Sequence, residues 1–169
     1  MVTIRLYDDD DWLALWSIIE PVFRAGKTYV FSPQITEDEA HHVWVDAPSA
    51  TFVATDERDG KILGTYYIKP NQTGLGDHVC NCGYIVSEGA RGRGIASLMC
   101  EHSQAEAVSR KFLSMQYNLV VSTNEDAIRL WKKHGFDVVG TLPQAFRDPD
   151  LGYVDAFVMH KMLGTEQGS

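Results

Sequence analysis

The run Arg91-Gly92-Arg93-Gly94-Ile95-Ala96 constrains this chain more than any other segment. It joins a strand-like stretch, Val79 to Val86, to a helix-like stretch, Ile95 to Arg110. Glycines let the main chain come close to an anion. The first turn of a helix adds unpartnered N–H groups carrying partial positive charge. Such a turn suits a pyrophosphate. Glycine-rich turns before helices are common, so the weight comes from a second pattern further on: Asn124-x-x-Ala127, then Trp131 and Gly135-Phe136.

With 169 residues, 44% hydrophobic and 22% charged, the chain suits one domain, residues 1–169, around one core. The formal net charge of −8 argues against nucleic acid as a partner. A phosphate-bearing ligand would then need local positive charge, and Arg91 and Arg93 stand where it is useful. Met1 to Arg5 is no basic leader and runs into Asp8 to Asp11, so no secretory signal is expected. No apolar run approaches the roughly 20 residues that span a bilayer, so no membrane association is expected. An odd number of cysteines, Cys80, Cys82 and Cys100, points to reduced thiols and a cytoplasmic setting.

Periodicity places the elements. Val2 to Tyr7 alternates as a strand, and the aspartates after it favour a helix's first turn. Trp12, Leu15, Trp16 and Ile19 share one helical face, with Pro21 expected near the helix's end. Tyr29 to Pro33 reads as a loop. Thr36 with Glu39 fits a capping box for a short helix reaching about Val45. Ala50 to Glu57 and Lys61 to Lys69 form a hairpin around Arg58-Asp59-Gly60. A strand from His78 to Ser87 precedes a helix, Arg93 to Arg110, with Ile95, Leu98, Met99, His102 and Ala105 at helical spacing. Met115 to Ser122 reads as a buried strand. Ser122 and Glu125 are expected to box the next helix, Asn124 to His134. Phe136 to Thr141 and Tyr153 to Met162 close the chain as strands. The order β-α-α-β-β-β-α-β-α-β-β implies an α+β layered fold, a mixed sheet with helices on its faces.

These residues give the chain a resemblance to the GCN5-related N-acetyltransferase superfamily. Arg91-x-x-Gly94-x-Ala96 is similar to that family's acyl-CoA pyrophosphate loop, and Asn124-x-x-Ala127 with Gly135-Phe136 to its second signature. The resemblance implies a mostly antiparallel sheet of about seven strands and acetyl-CoA as co-substrate. It implies that the main chain of Arg91, Gly92, Arg93, Gly94, Ile95 and Ala96 cradles the pyrophosphate, and that Ile85 and Val86 pair with the pantetheine arm. Asn124 would serve near the pantetheine end. The strand carrying Ile85 would splay from the strand carrying Asn118, with the thioester in the gap. A neutral amine would attack there through a tetrahedral intermediate. Homodimers are frequent among such proteins. No metal is implied.

One position departs from the family. Many members have a tyrosine four residues after the second motif's alanine, as acid toward the leaving thiolate; here it is Trp131, whose indole N–H is no acid near neutrality. Asn81-Cys82-Gly83-Tyr84, Tyr117 to Val120, Ser122 to Asn124, Ile128 to Trp131 and Val154 to Ala156 resemble a fungal branch. That branch acetylates azetidine-2-carboxylate and related proline-like imino acids and also carries the tryptophan. It relies on asparagines that match Asn81, Asn118 and Asn124. This resemblance implies Asn81 and Asn118 as catalytic and substrate-binding amides. Tyr29 and Phe31 fall in the loop that lines the acceptor pocket in the superfamily.

Blander uses compete at each position. Asn81 could pair with a neighbouring backbone, Asn118 must find partners if buried, and Asn124 could be a helix cap. Tyr29 and Phe31 could close the core. Tyr84 could be a substitute acid or a packed strand residue. Cys80 and Cys82 share a strand face with no companion pair or histidine at ligand spacing, so zinc is not expected. Three functional classes remain: an acetyltransferase for a small amine such as an amino or imino acid, one for protein or peptide amines, and a non-catalytic acetyl-CoA sensor.

Overall fold

The structure, a computed structural model, describes residues 1–164; the last five residues of the expected domain lie outside the described residues. Its elements are β1 (Val2–Leu6), α1 (Trp12–Ala25), α2 (Glu37–His41), β2 (Ala50–Asp56), β3 (Ile62–Pro70) and β4 (Val79–Val86). They continue with α3 (Ile95–Ser109), β5 (Ser114–Val121), α4 (Glu125–Lys133), β6 (Asp137–Asp148) and β7 (Gly152–Met162). The strands form one seven-stranded sheet in the order β1-β2-β3-β4-β5-β7-β6. Every pairing is antiparallel except β4 with β5. This is the layered α+β arrangement expected.

Strand alternation feeds two apolar layers. On one face α1 and the residues after it bury Leu15, Ile19, Phe23 and Trp44 against Val53, Ile62, Tyr67 and Ile85. On the other, α3 and α4 cover Leu63, Tyr66, Cys80, Cys82, Met115 and Tyr117. Over Gly64 the packing of α3 is tight: an added Cβ would lie 3.0 Å from Met99 and 3.2 Å from Ile95.

Several local expectations are corrected. Pro21 sits inside α1, which runs on to Ala25. Burial of Ile19 and Phe23 on either side of it, at about 1.5–3 kcal/mol each, offsets the roughly 3 kcal/mol cost of an interior proline. The helical segment that starts at Thr36 does reach the expected end near Val45: α2 passes into one wide helical turn, His42–Asp46, which seats Trp44 in the core. In α3 the buried face is Ile95, Met99, Cys100, Ser103 and Ala107, whereas Leu98 and Ala105 face outward. The cap of α4 is Asn124, whose Oδ1 accepts from the Ala127 N–H; the expected Ser122 box is not formed, because Ser122 N–H donates to Asp155 O in the sheet. β6 extends well past Thr141, and its irregular stretch between Leu142 and Phe146 carries Gln144 at φ 50°.

Candidate active site

The site begins where the sheet opens. Only two pairs, Val79 with Ser114 and Cys80 with Met115, join β4 to β5. Beyond them the strands diverge and a cleft of about 1150 Å³ opens between them. The expected splay is present. β5 shifts its register against β7 between Tyr117 and Val120, so Asn118 and Leu119 leave the ladder and line the cleft.

Asn81 stands at the vertex. It is buried, and its Nδ2 donates to Gln116 O at 2.9 Å, prolonging the β4–β5 junction by one side-chain bond. Its Oδ1 accepts from the Tyr67 hydroxyl at 3.3 Å. An amide has four bonding positions, so one N–H and one lone pair remain. Asn118 is exposed; it accepts from Gln116 Nε2 at 3.0 Å and donates to Asn71 Oδ1 at 2.6 Å. Gln116 thus contacts both asparagines, through its carbonyl and its side chain.

Tyr67, on β3, also belongs to the site. Its ring occupies the space a side chain would take at residue 83: a Cβ there would lie 2.6 Å from the ring. Gly83 after Asn81 was the available signal.

β4 alternates its main-chain groups. Val79 O and Ser87 N–H bond toward β3, while His78 O bonds Leu113 on β5. Asn81, Gly83 and Ile85 therefore face β3, and Cys82, Tyr84 and Val86 face the cleft. Of the expected pair, Val86 presents its main chain to the cleft. Ile85 uses its own in the β3 ladder and buries its side chain under α1. The Tyr29 hydroxyl donates to Tyr84 O at 2.8 Å, and Phe31 stacks on Tyr29 with ring centroids 6.1 Å apart. Both line the cleft and also close the α1 layer.

At the other end lie Arg91, Gly92, Gly94, Ile95 and Ala96. Gly92 and Gly94 both adopt φ 76°, with nothing within 4 Å of an added Cβ, so open space faces a left-handed turn leading into α3. That geometry fits an anion held by main-chain N–H groups. Arg91 lines the cleft; the Arg93 guanidinium instead turns back to Asp56, 3.3 Å away, which also binds Arg58. Arg58 first, then Arg93, holds the Asp56 carboxyl far below the usual carboxylate range. Asn124 lines the cleft while capping α4.

Trp131 packs between Tyr84 and Tyr117, with centroids 4.9 and 5.0 Å away. Ser103 Oγ donates to Cys100 O at 2.8 Å, so it accepts from the Tyr84 hydroxyl at 2.6 Å. Tyr84 in turn accepts from Tyr117 at 2.9 Å. The hydroxyl protons run inward, toward α3. Burial pushes both phenols well above their ordinary value. Tyr84 is thus a packed strand residue. The three thiols are free and buried, and burial raises those of Cys82 and Cys100. Among the described residues no cluster has the makings of a metal site.

At the rim of the cleft, Lys27 Nζ reaches Asp148 at 3.1 Å and also Asp150. This ties the loop after α1 to the β6–β7 turn. Among the described residues no helix is long and apolar enough to cross a membrane.

Residues 12–136 match the acetyltransferase (GNAT) family. The chain is 34% identical over 148 residues to N-acetyltransferase aca1 of Schizosaccharomyces pombe, covering 79% of this chain and 71% of that protein. Its fold superposes on a GCN5-related N-acetyltransferase from Kribbella flavida with a TM-score of 0.90 and 38% identity, over 96% of this chain and 98% of the other. A phosphinothricin acetyltransferase from Sinorhizobium meliloti, solved with acetyl-CoA, shares the fold at a TM-score of 0.84 and 19% identity, over 99% and 91% of the chains.

Proposed function

Because this chain belongs to the GNAT acetyltransferase family, we propose that it transfers the acetyl group of acetyl-CoA to the amine of a small amino or imino acid of the proline-analogue kind. The observation that carries the reading is the β4–β5 opening, with Asn81 at its vertex and Asn118 at its mouth. Acetyl-CoA supplies an activated acetyl thioester. The main chain of Arg91 to Ala96, opened by Gly92 and Gly94, holds the pyrophosphate, and the Val86 main chain holds the pantetheine amides. The free N–H of Asn81 donates to the thioester oxygen as negative charge builds there. The Asn118 carbonyl orients the amine. As the N–C bond forms, the C–S bond breaks; the amine loses one proton to water and the thiolate gains one from water. Trp131 offers no proton, and the phenols beneath it give theirs to one another and to Ser103.

The Lys27–Asp148/Asp150 tie and the Tyr29–Phe31 pair narrow the acceptor end, which favours a small acceptor over a protein segment. A second reading, a non-catalytic acetyl-CoA sensor, draws on the same inward-turned phenols. The test is CoA thiol release from acetyl-CoA across azetidine-2-carboxylate, proline analogues, amino acids, polyamines, aminoglycosides and short peptides. Turnover concentrated on imino or amino acids is the expected result. Turnover on peptides alone assigns a protein substrate. Tight acetyl-CoA binding with silence across the panel favours the sensor.

A further inference from the structure

We propose that Lys69 is the acceptor-recognition residue, binding the carboxylate of an amino- or imino-acid substrate; this inference rests on the small-amine reading above. Lys69 lies opposite Asn81 in the β3–β4 ladder. Strand alternation puts its side chain on the same face as Tyr67, two residues earlier. Asn81 is on that face too, since its Oδ1 meets the Tyr67 hydroxyl. The Lys69 Nζ sits 5.3 Å from the Tyr67 ring centroid, so the ring fixes the ammonium beside the Asn81 vertex.

Charge singles this lysine out. Among the described residues three cations line the cleft: Lys27, Lys69 and Arg91. Lys27 is already held by two carboxylates, Asp148 and Asp150. Arg91 belongs to the glycine-rich loop at the opposite end. Lys69 is half-buried and has no carboxylate within ion-pair distance among the described residues. The lining acids, Glu88 and Asp126, flank the far end. Among the described residues the acceptor end therefore carries one uncommitted positive charge, the pyrophosphate end being served separately. An α-amino or α-imino acid presents its carboxylate two bonds from the nucleophilic nitrogen. Its carboxylate on Lys69 would leave that nitrogen beside Asn81 and Asn118. A polyamine or an aminoglycoside would meet a like charge there.

The experiment compares azetidine-2-carboxylate with azetidine-2-carboxamide as acceptors, in the wild type, Lys69→Met and Lys69→Arg. Methionine keeps the apolar stem over Tyr67 and removes the charge. The ratio of kcat/KM values between the two acceptors, taken within each protein, cancels the different basicities of their amines. Loss of the charge-assisted contact should raise KM for the carboxylate about ten- to hundredfold in Lys69→Met. The carboxamide should change less than twofold, KM for acetyl-CoA should stay constant, and Lys69→Arg should retain most carboxylate preference. Equal changes for both acceptors, or none, overturn the assignment. If amines lacking a carboxylate are acetylated as well as those bearing one, Lys69 loses its role while the transferase reading stands. If no amine is acetylated, the small-amine reading falls and takes this inference with it.

Discussion

Asn81 Nδ2 donates to Gln116 O at 2.9 Å, one residue beyond the last main-chain pair, Cys80 with Met115. A side chain thus ends the parallel junction and defines the corner of the cleft. It also brings an amide with spare bonding capacity to the vertex of the cleft, the place proposed for the thioester.

Removing that amide should separate chemistry from binding. Asn81→Ala is expected to lower kcat for acetyl transfer by about a hundredfold, the scale of losing one oxyanion donor. The dissociation constant for acetyl-CoA, read by calorimetry, should change less than about threefold, because the pyrophosphate loop is untouched. Unchanged turnover would remove Asn81 from the site.

Gly94 should show the reverse pattern. At φ 76° a β-branched residue is strained by about 1–2 kcal/mol. Gly94→Val should lower Tm by roughly 2–8 °C at this chain length. Its side chain would also stand where an anion must approach, so acetyl-CoA affinity should fall at least about tenfold. Normal affinity in a folded variant would contradict the loop assignment.

Gly83 and Tyr67 should be coupled. A Cβ at 83 would lie 2.6 Å from the Tyr67 ring, so Gly83→Ala must displace it, at about 1–3 kcal/mol. In a Tyr67→Leu background the same change should cost less than half as much. Additive losses in denaturant unfolding of the four proteins would show that the ring moves away freely.

Acid should act first through His102. Burial against Phe52 and Tyr66 lowers its pKa below the ordinary 6.5, despite Glu106, and its Nδ1 meets the Tyr66 hydroxyl at 2.7 Å. The Tyr66 phenol is pushed up by burial, so it donates and His102 accepts as the neutral form. With a depressed folded pKa, the unfolded chain protonates first. The stabilisation is complete above about pH 6.5 and is lost as pH falls from there through the folded value. Asp11 and Asp148, also depressed, lose theirs only below about pH 3.9. His102→Gln should therefore show a smaller fall in Tm between pH 8 and pH 5 than the wild type. Parallel curves would remove His102 from the acid response.

The elements that were legible from the chain are those whose signals are local. The glycines of 91–96 lie at positive φ before α3, and the Thr36–Glu39 box caps α2 as the spacing implies. The Arg58-Asp59-Gly60 turn joins β2 to β3 with Gly60 at φ 72°. The Asn81 and Asn118 signals, polar residues in strand-like runs, lead to two residues lining one cleft. Less visible were the features set by distant partners. Pro21 is carried through α1 by what Ile19 and Phe23 bury. Arg93 is taken by Asp56, and Tyr84 is turned inward by Ser103.

By itself the sequence determined the order of strands and helices, the left-handed glycine turn before α3 and the absence of a tyrosine at 131, because these depend on backbone preference and spacing. The tertiary structure alone decided which amides, phenols and cations share the cleft. Those groups lie on separate strands, and their pairing depends on where β4 and β5 part, which no local propensity encodes.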